Sequence, residues 1–246
     1  MISIELTVHQ KDWLLEEVLT SIFTNSSELV TQVVVVLDGC TDKSEQIAKG
    51  FPVVIAYTPD VFETKANNVG LQLCTEPYCM IIQDDMIIQE KDFDKRMLKP
   101  FQDKEVFAVS ARHALNDIIV NGEISYSDMA GSEYGTPRNI FAIRDVVNRG
   151  PLLLDNNKLQ ALDYLDEEFS PQSYDDHDIC YRAYKQFGWL SGVYWIDYRS
   201  DSSWGSARGK NAGIITSAHQ VNSRKIMERY PELLNGSKHN EERSIE

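Results

Sequence analysis

The sequence predicts one α/β domain with a mostly parallel central sheet flanked by helices, and three observations carry that prediction. Apolar runs of strand length alternate with segments whose apolar residues recur at helical spacing. The run Val33-Val34-Val35-Val36-Leu37 has no polar face, as a strand covered on both sides requires. Two runs end in acids, Leu37 in Asp38-Gly39 and Tyr78 to Gln83 in Asp84-Asp85, as expected at the strand edge where open α/β sheets bind ligands.

In order, Ile2, Ile4, Leu6 and Val8 alternate as a strand, and Leu14, Leu15, Val18, Leu19, Ile22 and Phe23 follow at helical spacing. After the valine run, Gly39 permits a tight turn and Thr41 or Asp42 can cap a helix carrying Ile47 and Ala48. Val53 to Tyr57 reads as a third strand, about Thr64 to Cys74 as a helix, and Tyr78 to Gln83 as a fourth strand. A helix with Phe93, Met97, Leu98 and Phe101 leads to the strand Val106 to Val109, and this alternation implies right-handed crossovers. The rhythm then breaks: Asn121-Gly122, between Ile118-Ile119-Val120 and Ile124, predicts a hairpin, a small antiparallel element. Apolar positions surround Arg144 and Arg149, and Leu159 to Phe169 reads as a short helix entering a loop. Asp175-Asp176-His177-Asp178 opens a helix through Ile179, Ala183 and Phe187 that Gly188 closes. Leu190 to Ile196 reads as a strand, the Ser/Gly-rich stretch from Ser200 to Lys210 as a basic loop, and Val221 to Tyr230 as a last helix. The expected boundaries are one domain over 1–234, with halves 1–110 and 111–234, and a frayed polar tail over 235–246.

A chain of 246 residues buries a sizeable core, and its formal charge of −14, with 38 acids against 24 bases, excludes a surface that wraps nucleic acid. The four cysteines show no C-x-x-C spacing, which points to a reducing compartment without structural zinc. Met1 leads straight into a strand, with no basic region and apolar core of a signal peptide. No segment approaches the roughly 18 apolar residues of a membrane span. The expectation is a cytoplasmic protein, at most peripheral to a membrane.

An acid pair at a strand end also serves as a turn former or helix cap, and first-turn acids such as Asp175 to Asp178 suit a helix dipole without any chemistry. Asp38 can form its turn with Gly39 or accept from the N–H of a base. His177, His219 and His113 lack i, i+4 partners and read as hydrogen-bonded core or surface residues. Trp195 reads as core.

Placed together, these pieces resemble family 2 glycosyltransferases of the GT-A fold, a Rossmann-like architecture whose donor is a nucleotide-diphosphate sugar. The resemblance covers roughly residues 1 to 200 and rests on five motifs in order. Asp38-Gly39-Cys40-Thr41-Asp42 is similar to the family's D-G-S-x-D turn, and Lys65-Ala66-Asn67-Asn68-Val69-Gly70 to its basic helix start with Asn and Gly. Gln83-Asp84-Asp85 falls on D-x-D, and Leu165-Asp166-Glu167-Glu168-Phe169 on F-D-E-x-F. Asp175-Asp176-His177-Asp178 with Arg182 and Gly188 resembles the E-D-x-D helix. Gln83 replaces the first Asp of D-x-D and Asp175 the usual Glu.

The resemblance implies sugar transfer, most readily from a UDP-sugar, to a glycan or lipid-linked acceptor with inversion, assisted by Mn2+ or Mg2+. Asp85 would hold the metal, and Thr7, His9, Asp38, Lys65, Asn67, Gln83 and Asp84 would bind the nucleotide. Asp176, with Asp175 beside it, is the expected catalytic base, because an attacking hydroxyl must lose its proton on the face opposite the leaving group. Arg149, Trp204, Arg208 and Lys210 are expected at the acceptor or in a lid. A sugar nucleotidyltransferase would carry a Gly-rich loop where this chain has Thr7-Val8-His9-Gln10-Lys11-Asp12. A non-catalytic nucleotide-sugar-binding or scaffold protein is the other alternative, suggested by Gln83.

Overall fold

Strand β1 (Ile2–Val8) is buried along nearly its whole length and lies third from one edge of a nine-stranded sheet. The computed structural model describes residues 1–201, 203–205 and 212–245. Helix α1 (Leu15–Asn25) follows, then β2 (Val30–Asp38), the short α2 (Ser44–Ala48), β3 (Val54–Thr58), α3 (Glu63–Leu73) and β4 (Tyr78–Ile81). Strands β3, β2, β1 and β4 pair in parallel in that order, with Leu6 opposite Val35 and Ile4 opposite Met80. The valine run is buried on both faces because successive side chains alternate across the pleat. Val33, Val35 and Leu37 pack with α1, and Val34 and Val36 with α3. Asp42 Oδ1 accepts from the Ser44 amide at 3.0 Å at the start of α2, one of the two caps expected there. Helix α3 reaches β1 closely enough that a Cβ on Gly70 would lie 2.4 Å from Glu5 Cγ, so this position requires glycine.

After the acid pair come a short strand, β5 (Met86–Ile88), helix α4 (Phe93–Leu98) and β6 (Val106–Ser110). The expected hairpin is β7 (His113–Val120) with β8 (Glu123–Gly131), turning through Asn121 and Gly122 at φ +54° and +81°, the backbone an Asn-Gly turn accepts. Next are β9 (Ile140–Arg144), β10 (Val146–Val147), which pairs with β7, and β11 (Leu152–Asp155). Then come α5 (Asn156–Ala161), α6 (Asp175–Phe187), β12 (Leu190–Val193), β13 (Tyr198–Ser200), α7 (Ala212–Arg229), α8 (Pro231–Leu234) and β14 (Glu241–Ser244).

The sheet order is β14-β9-β12-β6-β11-β4-β1-β2-β3, and all of its strands run one way except β9 and β11. Strand β11 enters antiparallel between β4 and β6, so strands consecutive in the β-α-β rhythm are not neighbours there. Residues 235–245 depart from the expected frayed tail: β14 pairs with the edge strand β9, Glu241 opposite Ile143 and Ser244 opposite Ile140. Its polar side chains suit an edge that faces water.

Candidate active site

The C-terminal ends of β1, β2 and β4 open onto a cavity of about 140 Å³, walled by Thr7, His9, Asp38, Asn67 and Gln83-Asp84-Asp85. Asp38 is 2% exposed and is held by the loop after β3: its Oδ1 accepts from the Thr58 hydroxyl at 2.7 Å and the Val61 amide at 2.8 Å, and its Oδ2 from the Phe62 amide at 2.9 Å. The carboxylate thus shapes the cavity wall, and Oδ2 retains a lone pair for one further donor. His9 Nδ1 lies 2.7 Å from the Asp38 carbonyl and 3.7 Å from Asp60, grouping three residues with hard or imidazole ligand atoms at the cavity mouth.

Asp84 is 8% exposed, accepts from the His9 amide at 3.1 Å and faces Lys11 Nζ at 3.3 Å. Burial raises its pKa to about 6, with the like charge of Asp85 adding to the rise and Lys11 opposing it. Lys11, itself 2% exposed, also donates to the Trp204 carbonyl, so one buried ammonium joins β1's outgoing turn, the acid pair and the segment that brings Gly205 to the cavity. Asp85 is half-buried; burial raises its pKa first, the Glu63 charge raises it further, and Lys11 and Arg112 counter them. Gln83 Nε2 donates to Glu63 at 2.9 Å. An acid crowded by like charge, beside carboxylate and amide oxygens, is a donor set that suits a hard divalent cation.

Glu63, Gln83 and Gln172 also wall a second cavity of about 300 Å³, which adds Arg112, Tyr126, Arg149, Asp176, His177 and His219. Helix α6 delivers Asp176 there, 7% exposed, with Oδ2 accepting from the Arg149 amide and Oδ1 from the His177 amide, both at 3.1 Å. Asp175 is 0% exposed and borders neither cavity. It accepts from the Arg149 guanidinium and, at 2.8 Å, from the Thr64 hydroxyl; burial raises its pKa although Arg149 opposes the rise. Burial alone would lower the pKa of Arg149, but Asp175, Glu63 and Asp176 hold it above its usual value. His177 Nδ1 is 2.9 Å from the buried Asp117, and that partner outweighs burial to lift the imidazole pKa to about 9.

Thr7, His9, Asp38, Asn67, Gln83, Asp84 and Asp85 therefore share the first cavity, and Asp176 and Arg149 the second. Lys65 borders neither, because α3 turns it away from the Asn67 side. Trp204 borders neither: its ring packs edge-on against Trp13 at 6.4 Å and under Arg199. Arg208 and Lys210 lie outside the described residues. Lys11, Glu63, Arg112 and Asp117 take part in these contacts without standing out in the sequence as site residues. Lys11 carried a usable signal, a cation in the turn that leaves a buried strand; the others have partners too distant in sequence to be seen.

The sheet order, with acids at the ends of its parallel strands, defines a GT-A fold. Residues 3–144, more than half of the chain, match the family description "Glycosyl transferase family 2", and the chain belongs to that family. Among solved structures, S. aureus TarS is similar at 17% identity and TM-score 0.57, over 92% of this chain and 39% of TarS, so the chain spans well under half of that relative's length. Glucosyl-3-phosphoglycerate synthase from Mycobacterium tuberculosis, in complex with Mn2+, UDP and glucosyl-3-phosphoglycerate, is similar at 13% identity and TM-score 0.61, over 100% of this chain and 88% of that one. Mannosyltransferase PcManGT from Pyrobaculum calidifontis, in complex with GDP-Man and Mn2+, is similar at 14% identity and TM-score 0.64, over 93% and 64%. No curated protein matches the chain. No helix among the described residues is long and apolar enough to cross a membrane.

Proposed function

We propose that this chain transfers a sugar from a nucleotide-diphosphate donor, preferentially a UDP-sugar, to a hydroxyl of a glycan or lipid-linked acceptor, with inversion. The observation that supports it is the junction of the two cavities at Glu63, Gln83 and Gln172, with Asp84 and Asp85 on one side and Asp176 on the other. Such a junction lets a donor and an acceptor meet across a single reacting centre. Asp85, with Asp84 and the Gln83 amide oxygen nearby, would hold Mn2+ or Mg2+. When bound, the metal supplies Lewis-acid stabilisation of the departing diphosphate. Asp38 and Asn67 would bind the nucleotide; Asn67 is 1% exposed with its Nδ2 unpartnered at the cavity wall, a donor in need of an acceptor.

Asp176 is the proposed base. Two backbone amides fix its carboxylate while leaving each oxygen a lone pair to take the acceptor proton. Asp175 orients Arg149 and does not touch substrate. Calorimetry with UDP, with and without Mn2+, paired with a turnover assay over a panel of nucleotide sugars and acceptors tests this reading. Mn2+ should tighten UDP, Asp85→Asn should abolish that gain, and Asp176→Asn should keep UDP binding but lose turnover by at least about a hundredfold. Asp175→Asn should instead lower thermal stability by about 3 kcal/mol, because it removes the nearest anionic partner of the buried Arg149 and leaves Glu63, 3.6 Å away, as the closest remaining one. Metal-independent UDP binding would remove Asp85 from its role; near-parental turnover in Asp176→Asn would remove the base.

A further inference from the structure

On a chain of net charge −14, the second cavity is lined by four basic side chains, Arg112, Arg149, His177 and His219, against the acids Glu63 and Asp176. They are not equally committed. The Arg149 guanidinium is taken by Asp175, with Glu63 3.6 Å away. The Arg112 side chain is exposed and makes no hydrogen bond or ion pair among the described residues. His177 Nδ1 is tied to Asp117, which leaves Nε2 as the ring nitrogen for the cavity. The ring is held in that pose by the edges of Tyr174 at 5.1 Å and Tyr126 at 6.3 Å. The Arg112 guanidinium and the Nε2 edge of His177, the latter rigidly presented, thus line the same cavity as the proposed base Asp176. A neutral sugar would give them only hydroxyl oxygens, whereas an anion gives charge-assisted bonds about twice as strong.

We propose that the acceptor carries an anionic group, a phosphate or a carboxylate, which docks on Arg112 and the Nε2 edge of His177 while its hydroxyl lies at Asp176. This deepens the transfer reading and rests on it. The same chemistry could come from the donor's diphosphate, because Arg112 is also close enough to Asp85 to act on its titration. The test must therefore separate an acceptor anion from a donor anion.

Glycerol 3-phosphate, glycerate and neutral glycerol are titrated, by calorimetry, into the nucleotide-free protein and into protein saturated with UDP and Mn2+. Both anions should bind in both states and glycerol should not. Arg112→Gln should weaken the anions by about tenfold or more, as loss of a charged hydrogen bond does, with UDP affinity unchanged and part of the anion affinity restored by Arg112→Lys. His177→Gln provides a second, independent loss. Glycerol binding as well as the anions, or anion affinity indifferent to Arg112→Gln, overturns the proposal. Loss of UDP affinity alone in Arg112→Gln assigns the guanidinium to the donor and also overturns it. Failure of UDP to bind with Mn2+ sinks the transfer reading instead, and the nucleotide-free titrations still decide this site.

Discussion

Asp117 is 0% exposed, and its Oδ2 receives both the His177 ring nitrogen and the Tyr181 hydroxyl at 2.9 Å, while its Oδ1 has no partner. A buried carboxylate so placed is tolerable only beside a positive charge, which is why the imidazole stays protonated. Asp117 faces it from β7, Asp175 and Asp176 from its own helix, with Tyr126 and Tyr174 around the ring, the Tyr181 hydroxyl on Asp117 and His113 opposing. A histidine pKa raised by folding means that the native state holds the proton more tightly than the unfolded chain. Its stabilisation is complete below the unfolded value of about 6.5 and is lost as pH rises through about 9. Calorimetric unfolding between about pH 6 and pH 10 should show this loss, at up to about 1.4 kcal/mol per unit, and His177→Gln should flatten that part of the curve. An identical slope in the variant would assign the loss to other groups. The sequence showed His177 as a histidine bonded within the fold, but not its partner, because Asp117 lies sixty residues earlier on a hairpin strand whose register the pattern does not fix.

Helix α6 was legible as an element: first-turn acids, an apolar stripe and Gly188, which closes it at φ +71°. What each acid does was not, since the helix only sets their directions and the partners come from elsewhere. Asp175 turns to Arg149, Asp176 to the cavity, and Asp178, 0% exposed, to a third set. Asp178 accepts from Arg182 Nε at 2.7 Å, the Tyr230 hydroxyl at 2.6 Å and Arg229 Nη1 at 3.2 Å. Arg229 reaches on to Asp166 at 2.6 Å, which ties α6, α7 and the 165–169 motif into one ionic network. Asp178→Ala should therefore lower stability by about 3 to 5 kcal/mol, as removal of one partner of a buried ion pair does, read as a shift of the urea midpoint. A shift below about 1 kcal/mol would mean that the network is worth no more than a surface pair. Strand β11 was equally illegible: the apolar positions around Arg144 and Arg149 predict neither where a strand begins nor which way it enters the sheet.

At the scale of the molecule, the first cavity hangs on β1, β2 and β4, and the opposite end of the sheet is closed by β14 on β9. The polar composition of 235–246 predicts a loose tail, yet an edge strand needs only backbone bonds and one covered face. Here the covered side is ionic as well. His239 donates its amide to Asp145 at 3.0 Å, Asn116 donates to the His239 carbonyl at 2.9 Å, and Arg144, 4% exposed, faces Glu242 at 3.6 Å. Burial raises the Asp145 pKa, and the His239 amide and Lys238 are the groups that offset it. Ending the chain at Leu234 would strip those partners and open the edge of β9. The shortened protein should lose several kcal/mol, since each abandoned buried polar group costs about 1 to 3 kcal/mol, and should associate through the bared edge at high concentration. Its affinity for UDP with Mn2+, measured below the unfolding transition, should stay at the parental value, because none of the described residues that line the first cavity belongs to that segment. Calorimetric unfolding and UDP titration on the same preparation decide it. Parental stability would mean that β14 contributes nothing to the fold, and a collapse of UDP affinity in the still-folded protein would mean that the sheet transmits its edge to the donor site.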